Sequence, residues 1–473
     1  MREVDIEAIP LDRLAALLDP ARAERLAEYA ARARVLLEGR TVWNVNATAT
    51  GGGVAEMLQA LLAYSRGAGV DARWLVLDAT PAFFGLTKRI HNVLHGSPGD
   101  GGPLGEAERE IYDSVLARNL RQLLRFVRPG DVVLLHDPQT AGLVPGVQAA
   151  GAHVVWRSHI GRDTPTELTD AGWAFLRPYV EHAGAVIFTR GAYVPAWVDQ
   201  NKVWIIPPSL DPFTAKNTEI PAGDVEAVLR HAGLTVTTER HGRFLFTRRD
   251  GSTGLVRPHA GLIEGGHPVP GHARVVLQVS RWDRLKDMSG VLTGFAAHLP
   301  RMPDDVQLML VGPETAGVTD DPEGAEVFQE CKELRLQQPE EVRRRIHLCS
   351  LPMDDVDENA YLVNALQRYA TVVVQKSLVE GFGLTVTEPM WKGKPVIASR
   401  VGGIQDQIVD GESGLLLDDP TDLDAFGAAL DRVLADQGLA AALGGNAFDR
   451  VRDHYLGDRH LIQYVDLFEQ LYR

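Results

Sequence analysis

Two doubly wound α/β domains are the fold this chain predicts, and three observations carry that expectation. Short, continuous apolar runs recur between helical stretches, the runs fall into two series on either side of a proline pair, and glycine-bearing turns follow several of them. A strand whose apolar residues do not alternate is one buried on both faces, as in a parallel sheet covered by helices. Alternation with helices then builds βαβ units, whose ligands meet the C-terminal strand ends. At 473 residues the chain is also longer than one hydrophobic core usually organises.

The elements follow in order. Residues 11–37 space their apolar side chains at helical intervals and predict a docking helix. The first strand series is 41–45, 73–77, 131–135, 153–156, 185–188 and 203–206. Pro207 and Pro208 end the last of these and mark the domain join, because proline offers no N–H to a ladder. The expected N-terminal domain is 1–209, with a C-terminal helix at about 455–473 packing back on it, and the expected C-terminal domain is 210–454. An irregular segment is expected at about 215–271, richest in Gly, Pro and His from Asp250 onward. The second series is 275–279, 306–311, 345–348, 371–374 and 395–398.

Composition narrows the function. The chain has 48 Lys and Arg against 63 Asp and Glu, a net charge of −15, which argues against nucleic acid or an anionic membrane surface as a partner. An anionic substrate therefore needs a locally built positive site. Cys331 and Cys349 are too few for a disulfide framework, lack metal-ligand spacing, and read as reduced structural residues. No apolar run approaches the roughly 18 residues that span a bilayer, and the opening Met-Arg-Glu-Val-Asp-Ile lacks the apolar core of a signal peptide. A cytoplasmic protein without membrane attachment is the expectation.

Five constellations carry chemistry. The most informative is Glu380-Gly-Phe-Gly-Leu-Thr-Val-Thr-Glu388, between strand 371–374 and the helix-compatible residues 384–392. A buried strand that breaks at glycines into a helix leaves backbone N–H groups and a positive helix end at the turn, which suits a phosphorylated ligand. The two carboxylates can hold sugar or ribose hydroxyls; the competing reading is a solvated surface loop. Ser280-Arg-Trp-Asp-Arg-Leu-Lys-Asp287 follows strand 275–279, where Arg281 can fork onto two phosphate oxygens and Lys286 adds a compact charge. Gly51-Gly52-Gly53 follows the first strand and permits close backbone approach. It has neither the G-x-G-x-x-G order nor a Walker lysine, and a plain turn is the alternative. Gly402-Gly403 is a further strand-to-helix turn. Finally, His136-Asp137 and Trp156-Arg157-Ser158-His159 place histidines and an acid at strand ends, as hydroxyl-binding groups or as hydrogen-bonded structure.

On these residues the C-terminal half resembles the retaining GT-B glycosyltransferases of the large sugar-nucleotide-dependent family. Glu380 and Glu388 match its E-x7-E signature, and Arg281 and Lys286 its Arg and Lys. The strings at 46–57, 83–92, 136–139, 156–159, 278–287, 364–367 and 375–383 narrow the resemblance to the trehalose-synthesising branch, which comprises glycosyltransferring synthases and trehalose phosphorylases. Matches run from about residue 40 to 430.

The resemblance implies two Rossmann-like domains facing across an interdomain cleft. It implies a retaining, reversible glucosyl transfer from a nucleoside-diphosphate glucose to glucose, making trehalose; a phosphorylase using phosphate and glucose 1-phosphate is the alternative. A non-catalytic sugar-nucleotide binder is the reading from another class. Arg281 and Lys286 would grip the donor diphosphate, Glu388 the ribose, and Glu380 the hexose. The amides of Gly381, Phe382, Gly383, Leu384 and Thr385 would surround sugar and phosphate. His159 would lie beside the donor glucose, with Asp137 and His136 near the reacting sugars and Gly52 and Gly53 on the phosphate and acceptor side. Neither a metal nor a cofactor is implied, the sugar nucleotide being a co-substrate; a homodimer is. Two departures stand out: His159-Ile-Gly161, with Asp163 two residues on, where the family reads His-Ile-Asp, and Pro389 where Ala is usual.

Overall fold

The computed structural model describes residues 1–49, 53–236, 242–315 and 322–473. The chain divides into two compact units, Met1–Leu210 with Tyr455–Arg473, and Asp211–His454. In the first unit the departing and returning segments touch, Leu210 N donating to the Tyr455 carbonyl at 2.7 Å.

The first unit is built on β1 (Arg2–Val4), β2 (Thr41–Asn46), β3 (Asp71–Val76), β4 (Val132–His136), β5 (His153–Arg157), β6 (Ala185–Phe188) and β7 (Val203–Ile205). Their spatial order is β1-β3-β2-β4-β5-β6-β7. All pairs are parallel except β1 with β3. The strands read as continuous apolar runs because both faces are covered. Val133 and Leu135 pack into one layer with Trp156 and Phe188, whereas Val132 and Leu134 pack into the other with Leu467 and Phe468 of the helix Gly457–Leu471. The order turns between β2 and β4, since β3 lies on one side of β2 and β4 on the other. That reversal opens a crevice at the C-terminal strand ends.

The opening segment is not one helix. A short turn of helix, Asp12–Ala15, precedes a longer one, Pro20–Leu36. The Asp19 carboxylate accepts from Ala21 N at 3.0 Å and Arg22 N at 3.1 Å, and Pro20 takes the first position. An Asp-Pro pair starts a helix and does not continue one. This helix docks on Gly457–Leu471: Arg22 reaches Asp458 at 2.8 Å and Arg32 reaches Glu469 at 2.6 Å.

The second unit carries a hairpin, β8 (Leu245–Thr247) and β9 (Thr253–Leu255), then β10 (Arg274–Val279), β11 (Val306–Pro313), β12 (Ile346–Leu351), β13 (Val372–Gln375), β14 (Val396–Ser399) and β15 (Leu415–Leu417). The sheet is parallel throughout in the order β12-β11-β10-β13-β14-β15. Here the reversal lies between β10 and β13. The segment expected to be irregular at 215–271 holds the helix Ala222–Ala232 as well as the hairpin. Val225, Val228, Leu229 and Ala232 form its buried stripe, and Gly233 ends it with φ of 92°. Asp250-Gly251 turns the hairpin, Gly251 having φ of 77°. No helix among the described residues is long and apolar enough to cross a membrane.

Candidate active site

In the second unit the reversal between β10 and β13 gathers charge. After β10 the chain makes a short turn, Arg284–Lys286, started by Asp283, whose carboxylate accepts from Leu285 N at 2.8 Å. Asp287 then adopts φ of 50° and caps the helix Met288–His298, accepting from Gly290 N at 3.1 Å. After β13, Leu378 N donates to the Leu285 carbonyl at 2.8 Å, tying the two strand ends together. This brings the Lys286 ammonium to 2.5 Å from Glu380 Oε2, and Ser377 Oγ donates to the same oxygen at 3.3 Å. Both side chains are largely shielded, 15% and 12% exposed. Arg281 lies between β10 and the Arg284–Lys286 turn, half in solvent, with its guanidinium 3.0 Å from Asp283.

The glycine turn explains its own composition. Gly383 precedes the helix Leu384–Trp391 with φ of 88°, and a Cβ there would meet Glu380 Cγ at 3.1 Å. A Cβ on Gly403 would lie 2.7 Å from Phe382 Cα, so the two glycine turns approach backbone to backbone. Gln407 locks them, donating to the Phe382 carbonyl at 2.6 Å. The Thr385 hydroxyl is buried without a hydrogen-bond partner. Glu388 is buried one helical turn further on, accepting from Gln367 Nε2 at 3.2 Å, with Lys216 Nζ at 3.6 Å. Pro389 lies within this helix and Glu388 keeps both partners. The structure thus brings Lys286 and Glu380 into contact and gives Glu388 a separate set of partners.

In the first unit β4 and β5 deliver the other candidate groups. Asp137 takes a left-handed φ of 63° directly after β4, and one of its carboxylate oxygens accepts from His159 N at 2.7 Å. His136 Nε2 lies 3.0 Å from Asn44 Oδ1 and its Nδ1 lies 3.2 Å from His159 Nε2, with the rings stacked at 5.5 Å. Burial, reinforced by the Arg157 charge, pulls the His136 imidazole down to about 3, and the same causes hold His159 well below its ordinary range. Two neutral rings leave one proton order: His136 donates to Asn44, and His159 Nε2 donates to His136 Nδ1. His159 Nδ1 is then a bare acceptor. Burial pushes the Asp137 carboxyl up to about 7, against the pull of the His159 amide and of Arg157. Gly53 opens the helix Gly53–Gly67 and is exposed, while Gly52 lies outside the described residues.

The departure at position 161 has a steric reason. A Cβ on Gly161 would lie 2.1 Å from Tyr193 Cγ, and Tyr193 is buried at 3% exposure. Any larger residue must displace that ring. Asp163 is paired with Arg190.

Comparison with known proteins fits this geometry. Residues 44–195 match a family model described as trehalose synthase, N-terminal domain, and residues 263–450 match glycosyl transferases group 1. The trehalose synthase of Pyrococcus horikoshii is 34% identical over 441 residues, covering 92% of this chain and 91% of that protein. The chain belongs to the trehalose synthase family. A trehalose phosphorylase of Pleurotus pulmonarius is 27% identical over 433 residues, covering 86% of this chain but 54% of that protein. Among solved structures, an α,α-trehalose-phosphate synthase (UDP-forming) from Burkholderia vietnamiensis superposes with a TM-score of 0.66 at 16% identity, covering 91% of this chain and 98% of that one. That likeness is one of fold, the two Rossmann-like units of GT-B glycosyltransferases.

This trehalose synthase family member also holds residues to which motif reading assigned no role. Lys376 is fully buried, its ammonium paired with Asp287, the neighbour of Lys286, and with the Pro420 carbonyl. Gln278 accepts from Lys376 N at 3.3 Å and donates to the Lys286 carbonyl at 2.7 Å, so both residues hold the Lys286 turn from beneath. The only signal in the sequence was a lysine at the end of an otherwise apolar strand. Asn44 was likewise visible only as a polar residue inside a buried strand.

Proposed function

We propose that the protein is a retaining glucosyltransferase that makes trehalose, reversibly, from a nucleoside-diphosphate glucose and glucose. The observation that supports it best is the Lys286–Glu380 pair at the sheet reversal, in a chain that aligns with the Pyrococcus horikoshii trehalose synthase over 441 residues. Breaking the glucose–phosphate bond puts negative charge on the departing diphosphate. An ammonium whose backbone turn is held by Gln278 and Lys376, a guanidinium just before that turn and the first amides of a helix are preorganised for that charge. In this reading Lys286 and Arg281 bind the diphosphate, and Glu380 a donor hexose hydroxyl. Gly381 to Thr385 line the sugar and phosphate, with the buried Thr385 hydroxyl free to meet them, and Glu388 binds ribose.

In the first unit His159 and Asp137 bind glucose hydroxyls, with His136 fixing the His159 tautomer and Gly53 on the acceptor side. A carboxyl that titrates near neutrality suits hydrogen bonding to a hydroxyl better than service as a permanently ionised nucleophile. Same-face attack, with the leaving phosphate oxygen taking the acceptor proton, is therefore the route to retention we favour. Lys286 and Arg281 supply the positive charge, so no metal is needed at the diphosphate.

The test is to incubate the protein with glucose and UDP-, ADP- or GDP-glucose and assay for trehalose. Trehalose from at least one donor is the expected product. A second reading, phosphorolysis, is favoured by the likeness to the Pleurotus pulmonarius enzyme. Glucose 1-phosphate from trehalose and inorganic phosphate, with no product from any sugar nucleotide, would establish it and refute the first. A non-catalytic binder would give neither product.

A further inference from the structure

Beneath the Asp137–His159 turn lies a charge that the reaction scheme has not used. Arg157 is the last residue of β5, the cross-strand partner of His136, and is 0% exposed. Its Nη1 lies 2.7 Å from His460 Nε2 and also donates to the Tyr464 hydroxyl; its Nη2 donates to the Ile206 carbonyl at 3.0 Å. Its Nε is buried with no partner. None of these groups is a carboxylate. His460 is held in turn by Ser209, 3.0 Å from its Nδ1, so Nδ1 carries the proton and Nε2 accepts from the guanidinium.

A buried cation satisfied only by neutral groups is expensive, and purely structural positions are served as well by an apolar side chain. The position of this one points to its use. The Arg157 carbonyl accepts from Asp137 N at 2.8 Å, and His159 is two residues further along the same strand direction. We propose that Arg157 is a positioning residue of the glucose-binding turn, locked under Asp137 and His159 by His460 and Tyr464 of the helix Gly457–Leu471, so that this helix completes the sugar site of the first unit.

The titratable groups around it are His136 at the end of β4, Asp137 just after it, His159 after β5, and Arg459, His460 and Tyr464 on the helix. Burial is the largest influence on Asp137, His136 and His159, raising the first and lowering the two histidines. The Arg157 charge lowers each of them, so it opposes burial at Asp137 and reinforces it at the histidines. Burial and Arg157 act the same way on His460, with Arg459 beside it. Loss of the guanidinium therefore moves Asp137 further above about 7 and leaves less of it ionised at neutral pH.

The inference rests on the reading of Asp137 and His159 as sugar ligands, and the experiment separates the two. Arg157→Met, Arg157→Lys, His460→Leu and His460→Gln are compared with the parent. Three readouts are taken: thermal midpoint, the acid limb of kcat/KM, and the 13C carboxyl titration of Asp137 in substrate-free protein, assigned with Asp137→Asn. In Arg157→Met both the titration and the acid limb move up by about one pH unit, with kcat/KM at neutral pH down about fivefold. His460→Leu shifts part of the way, and His460→Gln, which keeps an acceptor, stays near the parent. A folded Arg157→Met with the parent's titration and acid limb overturns the proposal. Should that variant not fold, an unchanged profile in His460→Leu overturns it. A shifted titration in a chain that makes no trehalose removes the function and leaves the hold of Arg157 on Asp137 standing.

Discussion

Replacing Lys286 by Ala is the sharpest test of the diphosphate clamp. In the resting protein its ammonium sits 2.5 Å from Glu380 Oε2, with the two side chains 15% and 12% exposed. The Coulomb attraction of such a pair is several kcal/mol at an effective dielectric of about 20. On the proposed reading most of it is not lost from catalysis, because in the transition state the ammonium would exchange its carboxylate for the departing diphosphate. What is lost is one donor held in place before charge develops, which costs about 3–4 kcal/mol, or roughly 10²–10³ in kcat. Glu380 complicates the count: without the ammonium beside it, its negative charge repels the diphosphate. The double variant Lys286→Ala with Glu380→Gln should therefore fall short of the sum of its parts by about 0.5–3 kcal/mol. Release of nucleoside diphosphate in a coupled assay, at saturating donor and glucose, reads kcat, with circular dichroism to check folding. A folded Lys286→Ala turning over within about tenfold of the parent would refute the clamp.

Three further outcomes are expected. Asp137, raised to about 7 from an ordinary 3.8, binds its proton in the native state across that window, so the stability it contributes is fully present below about pH 4 and lost as pH rises through about 7. Asp137→Asn should then gain on the parent by up to about 1.4 kcal/mol per pH unit in that range while losing activity; parallel unfolding curves across the window would contradict this. Gly161→Ala must displace the Tyr193 ring, 2.1 Å from the new Cβ, at about 1–3 kcal/mol. Its melting point should drop by several degrees and partly recover with Tyr193→Ala, and an unchanged melting point would rule out the clash. Glucosyl transfer should survive EDTA, since Lys286 and Arg281 carry the charge; loss of activity restored by magnesium would show otherwise.

Both doubly wound sheets were legible because their central strands are covered on both faces, which writes the burial into the sequence as unbroken apolar runs. What escaped were β1, whose Arg2-Glu3-Val4 pairs on one side only, and β15, three residues long at the opposite kind of edge. β1 shows little apolar character, as an edge strand can, whereas β15 is three leucines and too short to stand out. The helix Ala222–Ala232 lies in the segment expected to be irregular, although Val225, Val228, Leu229 and Ala232 carry helical apolar spacing. At the candidate site, strand-end position singled out Lys286, Glu380, Asp137 and His159. Their contacts were not readable, because Lys286 and Glu380 are 94 residues apart and Arg157 and His460 are 303. Nothing local records a partner at such distance. The left-handed backbone of Asp137 was also hidden, since Asp is tolerated there without glycine.

The unit that begins with Met1 is finished by Gly457–Leu471, whereas the unit from Asp211 to His454 is continuous. On the ribosome the later-made unit is therefore the first to have all its parts, and the earlier one waits with Val132, Leu134, Leu37 and the Arg22 and Arg32 anchors uncovered until the last helix emerges. Birth order and completion order are reversed in this chain, and a ribosome that stalls after His454 has made a complete second unit and an unclosed first one.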